Sequence, residues 1–294
     1  MKEELLQYIT IEKEKMNQLL LQYIDTLNIP ERLKRSTKYS INAGGKRLRP
    51  ILMRLTCEGL QGNCEKIYPA AVALEMIHTY SLIHDDLPAM DDDMYRRGKL
   101  TNHRQFDEAT AILAGDGLLT NSFQVIASAN VYNAEEKVYL INRLTEASGM
   151  EGMVGGQLLD MEAEQQEITI EQLEQIHRLK TGCLLSFAID AGSYLAGAND
   201  KTRSILRQFA EYIGLIFQIQ DDILDVVGDQ HLMGKASGSD QGNSKSTYPS
   251  VLGLDGAISH KKSYVNKAKQ CLEQAGLKGS RLEGLTDYLS ERDL

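Results

Sequence analysis

Tryptophan is absent from the 294 residues, and phenylalanine and proline occur only five times each. So little proline leaves long helices few breakers, because proline removes a backbone donor and clashes with the preceding turn. No sustained run alternates apolar and polar residues, which argues against a sandwich or barrel of half-buried strands. Nor does any uncharged apolar stretch approach the roughly 20 residues that a membrane-spanning helix needs, so no membrane span is expected. Basic residues are outnumbered by acidic ones, 32 to 41, for a formal net charge of −9. A general nucleic-acid binder needs the opposite balance, and no nucleic-acid partner is expected. Cys57, Cys64, Cys183 and Cys271 form no Cys-x-x-Cys pair, which leaves neither a zinc site nor a disulfide framework. Reduced thiols fit a cytoplasmic protein. Met1-Lys2-Glu3-Glu4 opens an acidic amphipathic segment, so no signal peptide is expected.

What is abundant is helical periodicity. From Glu3 to Leu27, Leu5, Leu6, Ile9, Met16, Leu19, Leu20 and Tyr23 recur mostly three and four residues apart. Comparable patterns run through 37–60, 67–87, 107–130, 135–164, 171–197, 201–227 and 257–275. Thr169 and Gln172 form a capping box that starts a helix carrying Ile170, Leu173, Ile176 and Leu179. The stretch Gly228–Ser250 is rich in Gly, Ser, Lys and Asp and lacks this periodicity. Only some forty residues follow it, too few for a core of their own, so residues 1–294 read as one all-α domain.

The chemistry concentrates at the ends of two apolar helical runs. Five aspartates crowd into nine positions from Asp85 to Asp93. Two carboxylates about 5 Å apart repel by roughly 3 kcal/mol at an effective dielectric of 20, so water and salt must screen such a cluster or cations must fill it. Taken alone, the motif does not choose between a solvated helix end and a cation site. A second group, Asp221, Asp222 and Asp225, closes the run Phe217 to Leu224, and the four-residue spacing of Asp221 and Asp225 points both the same way on a helix. Carboxylates alone suit Mg²⁺, which completes its shell with water and phosphate oxygens. Neither group has the alternating ligands, central Gly and closing Glu of a calcium loop. Pro88, four residues after His84, ends or bulges the first helix. Whether Asp91 or Asp92 then faces the same way as Asp85 is left open by the sequence.

Basic residues cluster at Lys46-Arg47-Leu48-Arg49 after Gly44-Gly45, at Arg96-Arg97-Gly98-Lys99, and at Lys180-Thr181-Gly182, with Lys235 and Lys245 in the glycine-rich stretch. Each alone is an ordinary surface charge. Beside two carboxylate clusters they describe a site for diphosphate, with Arg for forked contacts, Lys for point charge and Gly for close backbone approach.

In this order, Gly44-Gly45-Lys46-Arg47-Leu48-Arg49-Pro50, the Asp85–Asp91 motif with Arg96 and Arg97, Lys180-Thr181-Gly182, Phe217-Gln218 with Asp221-Asp222-Ile223-Leu224-Asp225, and Gly234-Lys235, Gly238, Asp240, Lys245, Thr247 and Tyr248 resemble the bacterial short-chain trans-polyprenyl diphosphate synthases. The resemblance covers about residues 40 to 253 and implies a helical bundle of the isoprenoid synthase type with a deep central cavity, usually a homodimer. It implies that isopentenyl diphosphate is condensed with dimethylallyl and then geranyl diphosphate to give farnesyl diphosphate. A geranylgeranyl-forming enzyme is the near alternative, and a non-catalytic prenyl-diphosphate-binding partner subunit the distant one. By position, Asp85, Asp91 and Asp221 would hold a cluster of about three Mg²⁺ ions, with Asp86, Asp222 and Asp225 in support. Arg96, Lys180, Thr181, Gln218 and Lys235 would line the allylic diphosphate site, with Lys245 near it, and Lys46, Arg49, His78 and Arg97 would hold isopentenyl diphosphate. Tyr80 lies five residues before Asp85, about 7.5 Å deeper along a helix, where with Ser81 it would form the floor that limits product length. The tail containing Arg292 matches the family only loosely, and its part in closing the site is open.

Overall fold

The computed structural model describes residues 2–164, 166–227 and 246–292. Lys235 and Lys245, together with Gly234, Gly238 and Asp240, lie outside the described residues. Thirteen described helices run in chain order: α1 (Lys2–Thr26), α2 (Glu31–Asn42), α3 (Leu48–Gly59), α4 (Tyr68–Asp85), α5 (Asn102–Gln105), α6 (Glu108–Ser128), α7 (Ala134–Ser148), α8 (Met153–Ala163), α9 (Ile170–His177), α10 (Cys183–Leu195), α11 (Asp200–Val227), α12 (Tyr248–Gln274) and α13 (Arg281–Glu291). The strands among the described residues are the two-residue pair Tyr95–Arg96 and Lys99–Leu100, antiparallel in one hairpin.

Helix α4 is apolar on nearly every side, with Ala70, Ala71, Val72, Ala73, Leu74, Met76 and Ile77 buried, as befits a helix packed all round. It lies against α6, which presents Ala111, Ala114, Gly115 and Leu118, small enough for close approach. The core continues through Ile51, Leu52 and Leu55 of α3, Phe187, Ala188 and Ile189 of α10, and Leu206, Phe209, Ile213 and Ile216 of α11. No described helix is long and apolar enough to cross a membrane. The expected capping box at Thr169 and Gln172 is present in both directions and starts α9.

Two expectations need correction, and a third holds with a local change. The pattern over 37–60 is two helices, because Gly44 and Gly45 take φ of 82° and 134° and Arg47 takes 49°, left-handed values that end α2 and reset the chain before α3. The pattern over 135–164 breaks between α7 and α8 at Gly149–Gly152. Between α9 and α10 the chain stays helical but widens into a π turn over Arg178–Gly182, a feature often found at functional sites.

Candidate active site

Helix α4 ends at Asp85, before Pro88, and the turn that follows settles the Asp91 question. The Asp91 amide donates to the Asp85 carbonyl at 2.9 Å, which folds the chain back and sets the two aspartates side by side. Asp92, with φ of 48°, turns away to accept from Arg104 Nη2 at 2.9 Å. Burial, and then the charges of Asp91 and Asp160, push the Asp85 carboxyl up to about 6, while Lys180 and Arg96 oppose the shift. Asp86 is pushed to about 6 by burial and accepts from Arg96 Nε at 2.6 Å.

A cavity of about 480 Å³ opens beside Asp85. Arg49, His78, Lys180 and Thr181 supply its polar wall, and Met90, Met153, Val154, Leu158 and Met161 its apolar one. Tyr80 and Ser81 line it too; the Tyr80 ring is almost fully buried, and the Ser81 hydroxyl donates to the His78 carbonyl at 3.0 Å. The π turn carries Lys180, whose Nζ donates to Asp160 Oδ2 of α8 at 2.5 Å. Asp160 was not singled out from the sequence. The available signal was a polar pair, Gln157 and Asp160, three residues apart among the apolar residues of α8.

A second cavity of about 450 Å³ adjoins the first and shares Arg49 and His78 with it; Lys46, Arg97 and Phe217 complete the relevant wall. Positive charge is crowded here. Burial, then the neighbouring Arg292, lowers the Lys46 ammonium, while Asp221 opposes. Burial lowers Arg49 to about 10, and Arg49 Nε is buried without a hydrogen-bond partner. Burial lowers His78 far below its ordinary range, reinforced by Arg49, Arg97, Arg47 and Arg96, so its imidazole is neutral. Arg97, itself lowered by burial and by Arg47, reaches the Gly44 carbonyl, and a Cβ on Gly45 would collide with its guanidinium. Arg47 is different: it is buried in an ion pair with Glu75 at 2.7 Å and is not available to a ligand.

On α11 the two adjacent aspartates separate. Asp222 is buried, accepting from Gln218 Nε2 at 3.0 Å and from the Tyr248 amide at 2.9 Å, so it and Gln218 tie the start of α12 to α11. Asp221 is half-buried and pairs with Arg292, which stacks 4.5 Å over the Phe217 ring. Burial raises the Asp221 carboxyl, with Arg292 and then Lys46 pulling the other way. Asp225 is half-buried one turn further on. Arg292 is held in turn by Gln220, whose Nε2 donates to its carbonyl at 2.7 Å.

Among the described residues no three His, Cys, Asp or Glu side chains form a complete cage for a metal. The donors nonetheless fit Mg²⁺. They are oxygen-only, and Asp85 and Asp91 lie close together beside Lys180 and Arg96, an arrangement suited to an ion that completes its shell on a phosphate. Such an arrangement suits a polyanion, with cations on one side and Lys and Arg on the other.

Residues 30–283 match the family model described as polyprenyl synthetase. Over 296 aligned residues the chain is 48% identical to the farnesyl diphosphate synthase of Bacillus subtilis, covering all of both chains. It is 49% identical to that of Micrococcus luteus, covering 89% of this chain and 90% of the relative. An FPP/GFPP synthase from Zymomonas mobilis superimposes with a TM-score of 0.87 at 33% identity, covering 99% of this chain and 100% of that one. With the helical bundle and the paired cavities already in place, these matches establish that the chain belongs to the polyprenyl synthetase family.

Proposed function

We propose that the protein is a farnesyl diphosphate synthase, joining isopentenyl diphosphate first to dimethylallyl and then to geranyl diphosphate. The observation that carries this reading is the pair of adjoining cavities that share Arg49 and His78, one largely apolar and edged by Asp85 and Lys180, the other crowded with positive charge. Two diphosphates require two such places.

The allylic diphosphate lies towards Lys180, Thr181 and Arg96, with its hydrocarbon tail along Met153, Val154, Leu158 and Met161 towards Tyr80. Isopentenyl diphosphate lies on Lys46, Arg49 and Arg97, whose lowered affinity for their protons is relieved when an anion arrives. Neutral His78 offers a hydrogen bond between the two. Asp85, Asp91 and Asp221 would hold Mg²⁺, which when bound would neutralise diphosphate charge. Lys180 and Arg96 stabilise the same charge as the allylic carbon–oxygen bond breaks. The apolar wall keeps water from the allylic cation until the double bond of isopentenyl diphosphate attacks it. A proton is then lost, and the released diphosphate is the nearest base. Tyr80 blocks the path of a tail beyond fifteen carbons.

The exposed apolar residues Ile112 and Leu113 of α6 and Val138 of α7 support a homodimer, and four free thiols support a cytoplasmic location. The deciding experiment incubates purified protein with Mg²⁺, isopentenyl diphosphate and each allylic diphosphate in turn, with chromatography of the products. Farnesyl diphosphate from both starters, lost on chelation of Mg²⁺, is expected. A twenty-carbon main product would replace the proposed length, and no condensation at all would remove the enzyme reading.

A further inference from the structure

His84, immediately before Asp85, lines the larger cavity one helical turn above Tyr80. The two rings meet edge to face with centroids 5.7 Å apart. On its other side the imidazole lies against α6, with Nε2 3.1 Å from the Ile112 carbonyl oxygen and 4.0 Å from an Asp116 carboxylate oxygen. Gly115 makes that position possible. A Cβ there would stand 2.1 Å from His84 Nε2, 2.5 Å from Cδ2 and 2.8 Å from Cε1, far inside contact distance. Gly115 does not have the positive φ that would call for glycine, and mid-helix glycine is roughly 1 kcal/mol worse than alanine, so the backbone gives no reason for it. The three atoms nearest the missing side chain all belong to one imidazole.

We propose that Gly115 is a specificity-determining residue. It leaves a notch in α6 that receives the His84 ring, and so keeps the passage between Asp85 and Tyr80 wide enough for a ten-carbon allylic tail. The inference rests on the chain-forming reaction proposed above. A side chain at 115 evicts the imidazole; α6 closes one side, and the open side is the cavity. There the ring narrows the path just above Tyr80, where a ten-carbon starter must pass and a five-carbon starter need not reach.

The test measures product distribution and the KM of each substrate for the wild type, Gly115→Ala, His84→Ala and the double variant, all as full-length protein with Mg²⁺. Gly115→Ala is expected to accumulate geranyl diphosphate, with the KM for geranyl diphosphate raised roughly tenfold, the discrimination that one misplaced group produces in an apolar pocket. The KM values for dimethylallyl and isopentenyl diphosphate stay at wild-type level. Removing the imidazole removes the clash, so the double variant regains the fifteen-carbon product, and regains solubility should Gly115→Ala lose it. An unchanged product ratio and KM in Gly115→Ala overturns the inference, as does a double variant no better than Gly115→Ala. A wild type that forms no farnesyl diphosphate strikes the proposed reaction itself, a result separate from either.

Discussion

Replacing Glu75 with glutamine keeps the shape of a buried side chain and deletes its charge. Arg47 Nη1 lies 2.7 Å from Glu75 Oε1, and the two side chains are 2% and 3% exposed. The remaining contacts of the guanidinium are neutral: Nε to Asn17 Oδ1 at 2.8 Å and Nη2 to the Ile41 carbonyl at 2.7 Å. Glu75→Gln therefore leaves a cation in the interior with no counter-charge, a change that destabilises by about 3–5 kcal/mol. At about 2.1 cal/mol/K of unfolding entropy per residue, 294 residues give roughly 0.6 kcal/mol/K, so the melting temperature should fall by about 5–8 °C in scanning calorimetry. Arg47 sits at the left-handed junction between the glycine pair and α3, flanked by Lys46 and Arg49. Its displacement should raise the KM for isopentenyl diphosphate severalfold while the allylic KM holds. The double replacement Arg47→Met with Glu75→Leu removes both charges and should recover most of the loss. A single variant melting within about 1 °C of wild type would refute the reasoning, as would a double variant less stable than the single.

Tyr80→Ala removes a ring that lines the cavity beside His84, and chromatography should show the main product lengthened beyond fifteen carbons. Lys180→Gln keeps a polar group but removes the charge that acts most strongly on Asp85, and should lower kcat by about 10²-fold with stability little changed. His177 is buried with Nε2 unpartnered, and burial lowers it from 6.5 to about 4. Above pH 6.5 it is neutral in both folded and unfolded chains and contributes nothing; below that, only the unfolded chain takes the proton. Stability should fall by up to about 1.4 kcal/mol per pH unit down to about pH 4, roughly 3 kcal/mol in all. Asp85 and Asp86, raised to about 6, act in the opposite sense, so the His177 share is read as the difference between wild type and His177→Gln in urea melts at pH 7.5 and 5. Parallel pH dependences of the two proteins would contradict it.

The helical class was legible because apolar spacing is a local property, and the ordered motifs were legible because diphosphate chemistry restricts residue type. Helix breaks were harder to see. Gly44 and Gly45 carried a phosphate-binding reading that hid their role as a helix stop, and apolar periodicity simply continues in phase across Gly149–Gly152. The hairpin at Tyr95–Leu100 has two residues per strand, too few to display alternation. Helix α13 lies beyond the last pattern recognised. In the site, the choice of Asp91 over Asp92 depends on one backbone hydrogen bond to Asp85, and the Arg292–Asp221 pair joins residues 71 apart. Such partnerships are made by the folded chain, and composition or spacing carries no trace of them.

The doubled aspartates of the two motifs share a division of labour. In the first pair the leading carboxylate, Asp85, lines the cavity, and in the second Asp221 meets Arg292; each successor is fastened inward, Asp86 by an arginine and Asp222 by a glutamine and a backbone amide. The inner member works as a rivet, fixing the angle at which its neighbour is presented. Swapping Asp222 for asparagine thus turns one of its two accepting oxygens into a donor that faces another donor, and whatever turnover disappears with it measures a loosened mount as much as a missing ligand. A duplicated residue in a signature can thus encode one tool and one handle.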